Sequence, residues 1–285
     1  MLEGSKISSS EHIVAKYYDY ICEYEDKRLF KDPYHMLEFI MTFYYLRKYL
    51  PPPPSYILDC GCGSGNYSVV LAGMGYNVAL VDISERLLSI AKEKFVRTRR
   101  MHRVTHIVKA SSRDLSMFED DMFDAVLCFG PLYHLPYEED QIAAVRELRR
   151  VLKSGGILFV SAISYYGVLK TIVMRYDEEL ILESHRELFE KGIHLSRWHD
   201  YRLDVFPDAK FWKPSELCSF MEKHGFITLE MAACEGVFSH LREHVNRVAK
   251  DKRKWRRILE IAIETSNEPS IIGVSEHFIW IGKKA

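Results

Sequence analysis

The feature that most constrains this chain is Ile57-Leu58-Asp59-Cys60-Gly61-Cys62-Gly63-Ser64-Gly65, an apolar run that breaks into three alternate glycines. Such a run reads as a buried strand, and the glycines let the chain turn sharply and bring backbone N–H groups close to a ligand. A second apolar run, Val78 to Val81, ends in Asp82, about 20 residues after the first glycine. That is where the second strand of a βαβ unit ends, so the Asp82 carboxylate is placed to accept from a ribose diol. The pattern therefore predicts a nucleoside site.

The spacing excludes two common nucleotide loops. A dinucleotide fingerprint needs a third glycine at the position held by Asn66, and a phosphate loop needs a Gly-Lys-Ser/Thr that is absent. With Asp59 ahead of the first glycine, Asp-x-Gly-x-Gly-x-Gly resembles motif I of the class I S-adenosylmethionine (AdoMet)-dependent methyltransferases. AdoMet carries no phosphate, so such a loop provides close approach, and its acidic residue can face the ligand's ammonium.

Strand and helix signals alternate along the chain as a doubly wound α/β sheet requires. Strands are predicted at Tyr56 to Asp59, Asn77 to Val81, Val104 to Lys109, Phe123 to Phe129 and Ile157 to Ser161. Helices fall at Tyr67 to Met74, closed by Gly75, at Ser84 to about Arg97 with Ser84 as N-cap, and at Glu138 to Leu152. Phe226 to Ala232 and His277 to Ile281 are two further strands. The resemblance implies that they form an antiparallel pair, completing a Rossmann-like, doubly wound seven-stranded sheet with five parallel strands. At 285 residues and 47% hydrophobic content the chain can bury such a core.

Two domains are expected. Residues 1–50 read as a helical N-terminal cap, closed by the extended Pro51-Pro52-Pro53-Pro54 joint, and residues 51–285 as the methyltransferase domain. Residues 165–213 are an insertion after strand 5, with a helical stretch from Asp177 to Lys191 and an aromatic-rich loop from Trp198 to Trp212. A helical insertion, 241–264, carries Lys250-Asp251-Lys252-Arg253-Lys254-Trp255-Arg256-Arg257, read first as a solvated face and alternatively as an RNA-docking surface.

No apolar run reaches the ~18 residues of a membrane span. The polar start, Met1 to Glu11, is unlike a signal peptide, so a cytoplasmic location is expected. Six scattered cysteines show no zinc spacing and are read as reduced, with no metal site. A formal net charge of −1 gives no global bias toward nucleic acid or membrane. A monomer or homodimer is expected.

The family resemblance extends to site residues. Ala110-Ser111-Ser112-Arg113 aligns with the loop that holds adenine, with Ser111 where an aspartate is usual. Gly130-Pro131-Leu132-Tyr133-His134-Leu135 occupies the position that faces methyl group and substrate, which makes Tyr133 and His134 the candidate catalytic residues. Histidine titrates near neutral pH and can serve as a base for a protonated nucleophile. Together with the Tyr17-to-Leu29 helix, the Glu38-to-Thr42 segment, Glu235-Gly236 and Glu268 to Gly273, this stretch resembles prokaryotic class I methyltransferases of small-molecule type, and the core alone resembles the ubiquinone/menaquinone methyltransferases. The resemblance implies AdoMet contacts from Tyr18, Arg28, Asp59, Gly61, Cys62, Gly63, Asp82, Ile83, Ser111, Ser112, Arg113 and Gly130. Tyr165, Tyr166, Phe206, Phe211 and Trp212 are expected to line an enclosed acceptor pocket or else to pack the insertion onto the sheet. The function expected is methyl transfer from AdoMet to a small molecule at oxygen, nitrogen or carbon. RNA methylation, or AdoMet binding without catalysis, are the alternatives.

Overall fold

The computed structural model describes residues 9–182, 185–196, 202 and 205–285. Its main sheet is built from β1 (Tyr56–Cys60), β2 (Asn77–Asp82), β3 (Val104–Lys109), β4 (Phe123–Cys128), β5 (Leu152–Ile163), β8 (Phe226–Ala233) and β9 (His277–Lys284). A separate ribbon pairs β6 (Ile193–His194) with β7 (Ala209–Lys210). The sheet order is β3-β2-β1-β4-β5-β9-β8. β1 to β5 are mutually parallel, as expected, and β9 runs antiparallel to both β5 and β8. The C-terminal pair is thus antiparallel within itself, and β9, threaded between β5 and β8, is the strand that opposes the rest.

The period of two along each strand sorts its side chains between two apolar layers. From β1, Ile57 joins a cluster with Met41, Leu71, Phe95 and Ile281, while Leu58 joins one with Val145, Leu148, Leu217 and Trp280. Helices α3 (Pro33–Tyr49), α4 (Asn66–Gly73) and α5 (Glu85–Arg97) supply the first layer; α6 (Glu138–Val151) and α9 (Pro214–Lys223) supply the second. Because both faces are covered, β1, β2 and β4 are apolar almost throughout. Each fully buried leucine or phenylalanine contributes roughly 1.5–3 kcal/mol by leaving water.

α1 (Ser9–Tyr20) and α2 (Cys22–Arg28) precede α3, which starts at an Asp32 N-cap with proline at its first position. Met41, Tyr45 and Leu46 of α3 are buried in the sheet core. The insertion contains α7 (Tyr165–Arg175), a 3-10 turn Asp177–Ile181, and α8 (Arg186–Lys191), so the stretch expected as one helix is broken. Residues 197–201, which include the first part of the expected aromatic-rich loop, lie outside the described residues. The stretch 241–264 is also two helices, α10 (Arg242–Val248) and α11 (Lys252–Thr265). Asp251 starts the second by accepting from Arg253 N–H at 2.8 Å and Lys254 N–H at 3.3 Å. A short α12 (Pro269–Ile272) leads into β9. Among the described residues no helix is long and apolar enough to cross a membrane.

Candidate active site

The strand order reverses beside β1, which pairs with β2 on one side and β4 on the other. Open α/β sheets bind ligands at the strand C-termini at this switch point. Gly61, Gly63 and Gly65 all have positive φ, and the Gly61 and Cys62 N–H groups donate to Val81 O at 2.8 and 3.0 Å. A Cβ on Gly61 would lie 2.3 Å from Pro131 Cδ, so only glycine lets the loop after β4 pack here. A Cβ on Gly63 would meet no protein atom within 4 Å. Its φ forces left-handed backbone beside open space, as a ligand-facing turn requires.

Asp82 secures this loop by accepting from Gly63 N–H and Ser84 N–H, each at 2.8 Å. Burial pushes its pKa up to about 6 in spite of the backbone donors of Ser84, Gly63 and Ile83. Asp59, buried behind the loop, accepts from Ser68 Oγ at 2.5 Å, and burial raises its pKa to about 7.

A cavity opens from the loop. Of the sequence-predicted residues, it is lined by Tyr18, Arg28, Asp59, Gly61, Cys62, Gly63, Asp82, Ile83, Ser112, Gly130, Tyr133 and His134. Ser111 and Arg113 do not line it, which corrects their expected place at the cofactor. The Ser111 hydroxyl donates to Glu11, and the Arg113 guanidinium pairs with Glu11 and, at 2.6 Å, with Asp140. Glu11 of α1 itself lines this end of the cavity. Sequence reasoning missed it because its partners lie about a hundred residues away and no local pattern marks it.

The first two helices form a roof pinned by polar contacts. Asp19 accepts from Ser84 Oγ at 2.6 Å and Asp26 pairs with Lys94 at 2.7 Å; the same lysine donates to Ser64 Oγ at 3.2 Å and to Asn66 in the glycine loop. Ser10 reaches the insertion, donating to Asp208 at 2.8 Å. Tyr18 lies 2.8 Å from His134 Nε2. His134 Nδ1 lies 3.1 Å from the Asp208 carbonyl, which can only accept, so Nδ1 carries the hydrogen and Nε2 accepts from the tyrosine. Burial depresses the His134 pKa to about 4. The expected free base is thus a neutral imidazole with both nitrogens engaged. Tyr133 sits beside it, its ring 4.7 Å from the imidazole centroid, and burial raises its phenol pKa.

One wall of the cavity, which takes in Arg28 from the end of α2, is charged. Arg28 donates to Glu25 at 3.0 Å and to Glu38 at 2.6 Å. Glu38 lies 3.8 Å from His277 Nδ1, which is 2.8 Å from Glu235. Among the described residues, Glu38, Glu235 and His277 are one trio within metal-ligand reach, their ligand atoms within 4.8 Å of one another. Arg28 occupies the Glu38 carboxylate as a fork, so the trio reads as a charge-balanced network and not a cation cage. Thr42, Tyr67, Phe129, Ser161 and Cys234 complete this wall. The insertion's aromatics take the packing role: Tyr165 and Phe211 join the insertion's own cluster and Trp212 the sheet core, while Phe206 backs His134 at 5.3 Å.

A family model described as a methyltransferase domain matches residues 58–160. The chain is 31% identical over 174 residues to the ubiquinone biosynthesis O-methyltransferase of Xanthomonas campestris pv. campestris (strain B100), covering 59% of this chain and 61% of that protein. It thus spans about three-fifths of that relative's length. Its fold matches a SAM-dependent methyltransferase of Methanosarcina mazei (TM-score 0.56, 21% identity, 84% of this chain and 96% of that one). It also matches the magnesium protoporphyrin IX methyltransferase of Synechocystis PCC 6803 with bound SAH (TM-score 0.57, 15% identity, 97% and 100%). Residues 58–160 thus carry a methyltransferase domain, and the matches support a class I S-adenosylmethionine-dependent methyltransferase. Within that class the chain is similar, over its core, to the ubiquinone biosynthesis O-methyltransferases.

Proposed function

We propose that this protein transfers the methyl group of AdoMet to a small-molecule acceptor at oxygen, nitrogen or carbon, releasing S-adenosylhomocysteine. The observation that carries the reading is a single cavity running from the glycine loop and Asp82, past Tyr133 and His134, to a mixed polar and aromatic wall. Its residues suit AdoMet: open space beside Gly63, an acceptor-only carboxylate at Asp82 for a diol, and no phosphate-binding cation in the loop. When bound, the cofactor supplies an electrophilic methyl group on a sulfonium.

The protein's part is placement and exclusion of water. Asp59, Gly61, Cys62, Gly63, Asp82, Ile83, Ser112 and Gly130 form the cofactor floor, and Tyr18 and Arg28 cover it from the roof. His134 acts through Tyr18, holding the phenol over the cavity, with Tyr133 beside it. A cavity roofed by α1 and α2 favours a compact acceptor over a polymer. Calorimetry with AdoMet, followed by transfer of labelled methyl to cell-extract metabolites, tests the proposal. A labelled small product is expected; AdoMet binding without transfer, or label found in RNA, would overturn it.

A further inference from the structure

Helix α7, which opens the insertion after β5, is apolar on two sides. Val168 and Ile172, one turn apart, pack into the insertion's own cluster with Leu188, Ala209 and Phe211. On another side lie Leu169, Val173 and Tyr176, spaced by four and then three residues, the rhythm of a helix that packs against a second helix. That side is uncovered. Val173 is 61% exposed, its neighbour Met174 59% and, in the 3-10 turn that follows, Ile181 90%. Tyr176, Leu180 and Leu182 are exposed as well. The patch continues onto the loops that α7 leans on: Lys170 donates to Val274 O at 3.5 Å, Thr171 Oγ1 lies 3.0 Å from His240 Nε2, and Val274 and Leu241 are themselves exposed. Monomers seldom present so many large apolar side chains side by side.

We propose that this face is where two copies of the chain pair, in a two-fold contact made by α7 and the 3-10 turn after it. The charges select a second copy as the occupant. Arg175 and Glu178 are exposed, and neither has an ion-pair partner among the described residues. They flank Tyr176, with Val173 before the cation and Leu180 after the acid. A two-fold axis between them sets each copy's Arg175 against the other's Glu178 and each Val173 against the other's Leu180, so one stretch of sequence supplies both halves of the contact. A lipid surface calls for cations around the apolar residues and gains nothing from the exposed acid. A formal net charge of −1 leaves little long-range repulsion between copies.

The contact lies behind the site and outside it. None of these residues lines the cavity. The cluster under α7 includes Phe206, whose ring lies 5.3 Å from His134 and 6.2 Å from Tyr17, and Asp208 accepts from His134 Nδ1 through its carbonyl and from Ser10 through its carboxylate. Pairing through α7 therefore braces the scaffold against which the roof and His134 rest.

The test is sedimentation of the full chain at about 1 and 100 μM, which bracket a dissociation constant of about 10 μM, with folding followed by circular dichroism and thermal melts. Twice the mass of the chain is expected at the higher concentration. Val173→Glu, a surface change that costs little stability, should weaken the dimer at least about tenfold. Arg175→Glu should also weaken it, and adding Glu178→Arg should recover most of that loss, which a general surface effect does not do. The charge reversal decides the matter alone if Val173→Glu fails to fold. A native chain that stays monomeric at about 100 μM, or a dimer that the Val173 and Arg175 variants leave intact, overturns the proposal. A monomer that floats with phosphatidylglycerol vesicles, and ceases to in Val173→Glu, overturns it in favour of lipid. None of these results bears on the methyl-transfer reading, which AdoMet calorimetry and labelled transfer test separately.

Discussion

The two ends of the cavity are built by opposite means. The cofactor end comes from a short stretch of chain: Asp59 to Gly65 and, one βαβ unit later, Asp82 and Ile83. Its loop is held by backbone hydrogen bonds to β2 and by one carboxylate. The far end is assembled from Arg28, Glu38, Glu235 and His277, which come from α2, α3, the end of β8 and the start of β9. Side-chain charges hold that end together. One end depends mainly on backbone conformation; the other depends on side-chain charge and is supported by strands already fixed in the sheet.

The largest expected effect breaks the first end alone. Gly61→Val adds a Cβ within 2.3 Å of Pro131 at a φ of +80° and should both destabilise the chain, by several kcal/mol, and abolish AdoMet binding. Gly63→Val meets no protein atom within 4 Å of its Cβ, so it should keep most of the stability, losing about 1–2 kcal/mol to strain, yet lower AdoMet affinity more than about 100-fold. Calorimetry and thermal melts of the pair separate folding from binding. If both variants bind AdoMet normally, the cofactor end has been misplaced.

Asp82 should give the next largest effect, and it has a sign that can be checked. Its folded pKa, about 6, lies above the ordinary 3.8, so the folded apo chain takes up a proton at a pH where the unfolded chain does not. Above pH 6 this burial costs the apo protein roughly 3 kcal/mol at most, and the cost disappears as pH falls from 6 toward 4. A ligand diol needs the ionised carboxylate. The rise in Tm produced by AdoMet should therefore shrink as pH drops from 7 to 5, and Asp82→Asn should reduce affinity about 10- to 100-fold and flatten that dependence. An AdoMet-induced rise in Tm that grows on acidification would contradict this role.

The contrast explains what the sequence could show. The positions of the strands and the glycine loop were legible because each rests on local periodicity or on a backbone conformation that only glycine adopts freely. The departures have physical causes. Ser111 and Arg113 are drawn to Glu11 by a pairing across about a hundred residues, and Asp251 breaks the 241–264 helix by capping a new one. Glu38, Glu235 and His277 belong to three segments with no common spacing, so only the fold brings them together.

His134 gives a smaller effect than its position in Gly-Pro-Leu-Tyr-His-Leu suggests. A free general base is worth about 10²–10⁴ in rate. With Nδ1 donating to Asp208 O, Nε2 accepting from Tyr18 and a pKa near 4, this imidazole has neither a free nitrogen nor a titration near neutrality. His134→Ala and Tyr18→Phe should each slow turnover by about tenfold or less, alike in size, with no change in the pH profile between 6 and 8. A loss of a thousandfold in His134→Ala alone would restore it as a base.

The smallest effect is expected from the most charged stretch. Lys252, Arg253, Lys254 and Arg256 are exposed on α11, whereas Trp255 packs with Tyr34, Leu37, Val245 and Ile258 in a cluster of their own. Arg257 is paired with Glu260 at 3.0 Å. None of these residues lines the cavity. Exposed charges contribute little to stability, and an acceptor that enters the cavity does not touch them. Replacing Lys252, Arg253, Lys254 and Arg256 together by glutamine should therefore change stability by no more than about 0.5 kcal/mol and leave small-molecule turnover unaltered. An RNA-docking face would behave differently: affinity for bulk RNA would fall steeply with salt in the native chain, and the fourfold variant would lose both the affinity and most of the salt slope. Filter binding of bulk RNA at two salt concentrations distinguishes these outcomes, and salt-sensitive binding lost in the variant would move the acceptor from the cavity to the outside of α11.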